Sequence, residues 1–172
     1  MINNIIRGIA YFVIFVLIQI LILNNIHYLR IATPFLYLYF LIKIPVGISR
    51  SNLLLISFAT GLIIDTFSNT PGMHAAACTF VGFFRSGLIR FFIGKELLEG
   101  AYPSYSVFGV GGFLRYVISF VLLHHIVLFL VESLTLFDPI YLILRILSST
   151  LLSVILIAIV EAFNMEAVKS GE

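Results

Sequence analysis

Charge is what this sequence lacks most. Of its 172 residues only 10% are charged, ten Lys and Arg against eight Asp and Glu, while 61% are hydrophobic and the mean hydropathy is +1.15. Soluble domains carry about 25% charged and about 45–50% apolar residues, so a water-soluble domain is excluded and the chain reads as an integral membrane protein. A net charge of +2 is too small to suggest a nucleic-acid partner. The single cysteine, Cys78, lies in an apolar run, which rules out an intrachain disulfide. Catalytic signatures are missing too: no Gly-x-Ser-x-Gly elbow, no His-Glu-x-x-His zinc pair, and no Gly-rich phosphate loop ending in Lys-Ser or Lys-Thr. No enzyme, cofactor or metal is therefore expected.

What is present is apolar length. Hydropathy and the breakers between apolar windows predict six membrane helices over about 5–23, 29–46, 53–67, 71–94, 113–134 and 139–163, a single all-α bundle. The first ends in Asn24-Asn25 without a small-residue cleavage pattern, so a retained helix is expected rather than a signal peptide. Pro34 falls in the first turn of the second, and Pro45 ends it. The fourth is expected to open with Thr70 as cap and Pro71 as first helical residue. Arg7, Lys43, Arg50, Arg90, Lys95 and Lys169 cluster at one set of ends, against Arg30 alone at the other. Basic residues favour the cytoplasmic side, so both termini are expected there. Tyr102 and Tyr105 are expected in the headgroup region.

Charges within the hydrocarbon are the candidate sites, because each costs at least about 2.5–3.5 kcal/mol at a helix centre and needs a partner. Asp65 and Arg145 fall within a turn of each other in depth, and Arg85 lies deeper. The expectation is an Asp65–Arg145 ion pair, with Asp65 also accepting backbone N–H groups at the start of the fourth helix. Ser57, Gly61 and Asp65 recur every four residues, as do Arg145, Ser149 and Ser153, and Ala75, Cys78, Thr79, Gly82 and Ser86 form a third small-residue seam. Adjacent His124 and His125 point about 100° apart on a helix and so do not easily share a metal. Imidazoles hydrogen-bonded between helices are expected there, with a proton relay or ligand contact as the alternative. His74 is expected to be interfacial and structural.

Within "GLIIDTFSNTPGMHAAACTF", Gly61, Asp65, Pro71, Gly72, His74 and Ala75 form a pattern, and "RYVISFVLLHHIVLFLVE" and "LRILSSTLLSVILI" follow it. In these stretches, and in length and span order, the chain resembles the rod shape-determining protein MreD family. Pro71 and Gly72 are adjacent here, whereas many members space the corresponding positions by one residue. The resemblance implies a non-enzymatic component of the bacterial inner membrane, acting in cell elongation and peptidoglycan synthesis. Its implied partners are an MreC-like single-span protein, the elongation glycosyltransferase and its transpeptidase, and indirectly an MreB-like filament. It also implies a fold similar to the membrane-embedded substrate-binding subunits of energy-coupling-factor transporters. A vitamin-transporter subunit is therefore the rival reading, although the Ala-x-x-x-Ala docking seam of such subunits is missing from "IRGIAYFVIF".

Overall fold

The computed structural model describes residues 2–25, 32–94, 99–134 and 138–170. The start of the second expected helix, together with Arg30 and Lys95, lies outside the described residues. Seven α-helices are described, α1 (Ile2–Leu21), α2 (Leu38–Lys43), α3 (Arg50–Ser68), α4 (Met73–Ile93), α5 (Tyr105–Phe108), α6 (Val110–Glu132) and α7 (Pro139–Ser170), with a short 3-10 helix at Leu23–Asn25. Four of them, Arg50–Ser68, Met73–Ile93, Val110–Glu132 and Pro139–Asn164, are long and apolar enough to cross a membrane. This is an α-helical membrane protein.

Local chemistry explains most of the helix ends. Ser49 accepts the Asn52 N–H to start α3, and Ser104 accepts the Val107 N–H to start α5. Before α7, the Asp138 carboxylate accepts the N–H groups of Ile140 and Tyr141, and Pro139 fills the first helical position where no donor is needed. Asn69, in the left-handed conformation, closes α3, and Gly94 closes α4 in the same way.

The α3–α4 connection differs from expectation. Pro71 is not the first residue of α4; with Gly72 it occupies the centre of a turn closed by Met73 N–H donating to Thr70 C=O at 3.2 Å. Gly72 has φ 82 and ψ −8, the conformation that the second central position of a type II turn requires and that glycine adopts without strain. Proline followed by glycine is the natural sequence for that turn, so α4 begins two residues later, at Met73.

The second expected helix is corrected more deeply. Between 32 and 46 only Leu38–Lys43 is α-helical. The reason lies in the two prolines, each of which disfavours helical geometry at the residue before it. Thr33 precedes Pro34 outside any helix, and Ile44, before Pro45, is extended at φ −55, ψ 135. The segment nonetheless lies at the heart of the molecule: Tyr37, Leu38, Tyr39, Leu41 and Ile42 are wholly buried. It begins near the Ser68 end of α3, where Thr33 and Phe35 share a cavity wall with Ser68, and ends four residues before Arg50 opens that helix. Just before it, Asn24 donates to the Ser68 hydroxyl at one end of α3, and at the other end Val46 exchanges backbone hydrogen bonds of 2.8 Å with Gly100 and Ala101. These two ends of the bundle are the Ser68 end and the Arg50 end. α3 packs on α4, α4 on α6 and α6 on α7, with the broken segment enclosed among them.

Candidate functional site

The residues that carry the sequence pattern converge on the Ser68 end. Asp65, 3% exposed, accepts from the Thr70 hydroxyl and the His74 N–H through Oδ1, and from the Ala75 N–H through Oδ2, each at 2.9 Å. Gly72, the N-cap of α4, has no side chain to cap with. The carboxylate of the preceding helix therefore takes over the capping of α4, where the positive end of the helix dipole favours an anion. The close approach depends on Gly61. A Cβ there would lie 2.6 Å from the Ala75 nitrogen and 2.5 Å from its Cα, closer than packed atoms allow. Ser57 and Gly82 make the next contact along the same seam.

Half of the expectation for Asp65 is thus met, and the other half is not. Arg145 pairs with Glu132 at 2.9 Å, and its guanidinium stacks on Phe129 at 4.5 Å from the ring centre. Similar depth did not make Asp65 and Arg145 partners: three hydrogen bonds from the α3–α4 turn already enclose the Asp65 carboxylate. The stripe below Arg145 serves the broken segment instead. Ser149 Oγ accepts the Thr33 N–H at 3.0 Å, and Ser153 Oγ accepts the Phe35 N–H at 2.9 Å. Gln19, buried on α1, completes this support by donating to Pro34 C=O and accepting the Leu36 N–H. Backbone that leaves the helix at membrane depth must find such partners inside the protein. At the other end of the segment, buried Arg85 donates to the carbonyls of Ile42 and Ile44, the negative end of α2.

A polar cluster sits against the α4 start. The wholly buried Tyr37 hydroxyl lies 2.9 Å from His74 Nδ1 and 2.8 Å from His124 Nε2. One hydroxyl proton serves only one of these nitrogens, so the other ring must donate, and the tautomers of the two histidines are linked. His125 Nδ1 lies 2.7 Å from the Val121 carbonyl and therefore carries its proton there, leaving Nε2 bare. His124 Nδ1 and His125 Nε2 are sealed in without a partner. Phe35 packs on His74, His124 and His125 at centroid distances of 5.3, 6.0 and 5.2 Å. His74, expected at the interface, is 5% exposed and belongs to this cluster. Among the described residues no three His, Cys, Asp or Glu side chains are grouped to hold a metal.

No protein-family model, curated protein or solved structure matches this chain.

Two further features went unnoticed in the sequence. At the Arg50 end, Lys43 Nζ pairs with Glu161 at 3.1 Å, both side chains buried. Tyr39 OH donates to the same carboxylate at 2.6 Å, and Tyr105 N–H at 3.3 Å. Tyr105 is thereby tied to α7, its hydroxyl donating to Ala158 C=O, rather than standing free as an anchor. The signal was one of opposite charges placed near the same membrane face by two different spans. At the Ser68 end, a cavity of about 340 Å³ opens between α3, α6, α7 and the broken segment, with Phe35, His74 and Phe129 among its walls and Glu132 and Arg145 beside them.

Proposed function

We propose that this chain is a non-enzymatic component of a bacterial cell-elongation machinery, holding an MreC-like single-span protein and the wall-synthesis glycosyltransferase and transpeptidase together within the inner membrane. Both termini are cytoplasmic in this reading, and the Ser68 end faces outward. One observation carries it. Gly61, Asp65, Pro71, Gly72, His74 and Ala75, on which the MreD resemblance rests, build one object: the clamped turn between α3 and α4. In this reading that turn, held by the Asp65 hydrogen bonds, lies at the outer membrane surface, and Phe58, Leu62, Phe80 and Phe83 are exposed along the helices below it. A fixed turn above an apolar helix pair is suited to recognition by another membrane protein.

A substrate-binding role in a vitamin transporter is the second reading, favoured by the cavity at the Ser68 end. Purifying an affinity-tagged copy from native membranes and identifying what accompanies it separates the two. Recovery of an MreC-like protein with wall-synthesis enzymes is expected, and its loss on Asp65→Asn at equal protein level would tie the partner to the clamp. Recovery of an ATPase with a membrane coupling subunit would replace this reading by the second.

A further inference from the structure

A cavity of about 560 Å³ separates part of α1 from α3. Tyr11 and Phe12 form its α1 wall, Ile56 and Ile63 its α3 wall, and Phe40 and Ile44 its floor. Its depth says what surrounds it. Ile56 and Ile63 stand about 9 and 20 Å from Arg50 along α3 at about 1.5 Å per residue, in the middle of a hydrocarbon layer about 30 Å thick. Ile9 and Ala59 on its rim are exposed, so it opens sideways between two apolar helices.

The polar groups of the walls are already engaged. The Thr60 hydroxyl donates to Ile56 C=O at 2.7 Å, Lys43 Nζ is held by Glu161 at 3.1 Å, and Tyr11 and Tyr102 also have partners. The non-helical floor is settled as well: Pro45 has no N–H, the Ile44 carbonyl accepts from Arg85, and Val46 exchanges hydrogen bonds with Gly100 and Ala101. Backbone satisfied inside the protein is what contact with hydrocarbon requires. Size narrows the occupant further. A helix about 10–12 Å across would use up this volume in roughly one turn, so a spanning helix does not seat here, whereas a single alkyl chain does.

We propose that this cavity holds one acyl chain of a bilayer phospholipid as a bound lipid, distinct from those that exchange freely around the helices. Charge agrees with this occupant: the charged residue of the described lining, Lys43, is neutralised by Glu161, and an alkyl chain brings no charge to disturb that pair. With the chain in place, water is kept from the pair. The headgroup lies toward the Arg50 end, where the cavity reaches Ile48 and Tyr102, and tyrosine suits the headgroup level. The groove between Phe58 and Phe80 differs, because α3 and α4 alone form it and the broken segment adds no floor. The inference concerns the α1–α3 cavity alone and holds whichever proteins the chain assembles with.

The test releases the full chain from nanodiscs of phosphatidylethanolamine and phosphatidylglycerol into mild detergent, washes it, and counts the phospholipid retained per chain by native mass spectrometry. One retained phospholipid per chain is expected. Gly8→Leu and Ala59→Trp fill the cavity from opposite walls; a Cβ at Gly8 meets nothing within 4 Å, and Ala59 is exposed. Each is expected to lower retention about tenfold, since an overfilled site loses its occupant. Ala76→Trp, at an exposed alanine of the α3–α4 groove, is the control and is expected to retain as much as the wild-type chain. A phospholipid with a diazirine on its acyl chain should label the washed wild-type chain within 8–12 and 56–63, a readout independent of any variant. No retained lipid in the wild-type chain, unchanged retention in either filled variant, an equal loss in Ala76→Trp, or label confined to other segments would overturn the proposal. Retention of a polyprenyl lipid in place of a phospholipid, after purification from native membranes, would overturn it too. Failure here leaves the partner experiment above untouched, and the reverse also holds.

Discussion

The α3–α4 hairpin and the segment 32–46 cross the same bundle by opposite means. The hairpin satisfies its backbone through its own helices, and its connecting turn is clamped by Asp65, a residue of that hairpin reaching only nine and ten positions along the chain. The segment carries non-helical backbone through the core and relies on side chains from elsewhere: Gln19 on α1, Ser149 and Ser153 on α7, and Arg85 on α4. Local structure is self-sufficient in one and borrowed in the other. Membrane proteins tolerate the second kind only where it is enclosed, and the complete burial of Tyr37 through Tyr39 meets that condition.

The sharpest way to break the borrowed region is to strand a charge beside it. Glu161→Leu leaves Lys43 buried without its carboxylate and is expected to cost about 3–5 kcal/mol. Adding Lys43→Met should recover much of the loss, measured as reversible unfolding in mixed micelles. A double variant no more stable than Glu161→Leu would mean that the Tyr39 and Tyr105 bonds, not the charge, hold this end. In the self-sufficient region, Asp65→Asn comes next. An amide accepts through one oxygen only, so one of the His74 and Ala75 N–H groups goes unpaired, at about 2–3 kcal/mol in the same assay.

Gly61→Ala is expected to cost about 1–3 kcal/mol by forcing α3 from α4. Gly87→Ala on the same hairpin meets nothing within 4 Å and serves as the neutral or stabilising control. Smallest is the removal of single borrowed hydroxyls: Ser149→Ala and Ser153→Ala should each cost about 1 kcal/mol, read as faster amide exchange at Thr33 and Phe35 respectively. Equal exchange at both sites in either variant would show that the segment opens as one unit rather than bond by bond.

The contrast also decides what was legible in the sequence. The hairpin could be read because its signals are local: four-residue spacing of Ser57, Gly61 and Asp65, a proline-glycine turn, and a carboxylate near a helix start. The Asp65 capping bonds followed from these, although the turn took Pro71 that had been assigned to the helix. The segment could not be read, because hydropathy measures how apolar a stretch is and not how its backbone is bonded. Leu29 to Val46 looked like a helix by composition, and only the residues before Pro34 and Pro45 hinted otherwise. Gln19, Lys43, Tyr37 and Glu161 were missed for the same reason, since each acquires its role from a residue far away in the chain. Depth matching failed for Arg145, which took Glu132, the carboxylate near the end of the neighbouring helix.

Partners that lie 116 and 118 positions apart, as Thr33 and Ser149 and then Phe35 and Ser153 do, also fix an order of events during biosynthesis. At roughly 5–20 residues per second, the ribosome delivers those serines on the order of ten seconds after the segment itself has emerged. Through that interval the unwound stretch has none of its α7 hydroxyls, while the α3–α4 hairpin can already close. Assembly of this protein therefore begins in the middle and is completed only when the last helix arrives, so a chain interrupted before Ser149 would keep a formed hairpin beside an unfinished centre.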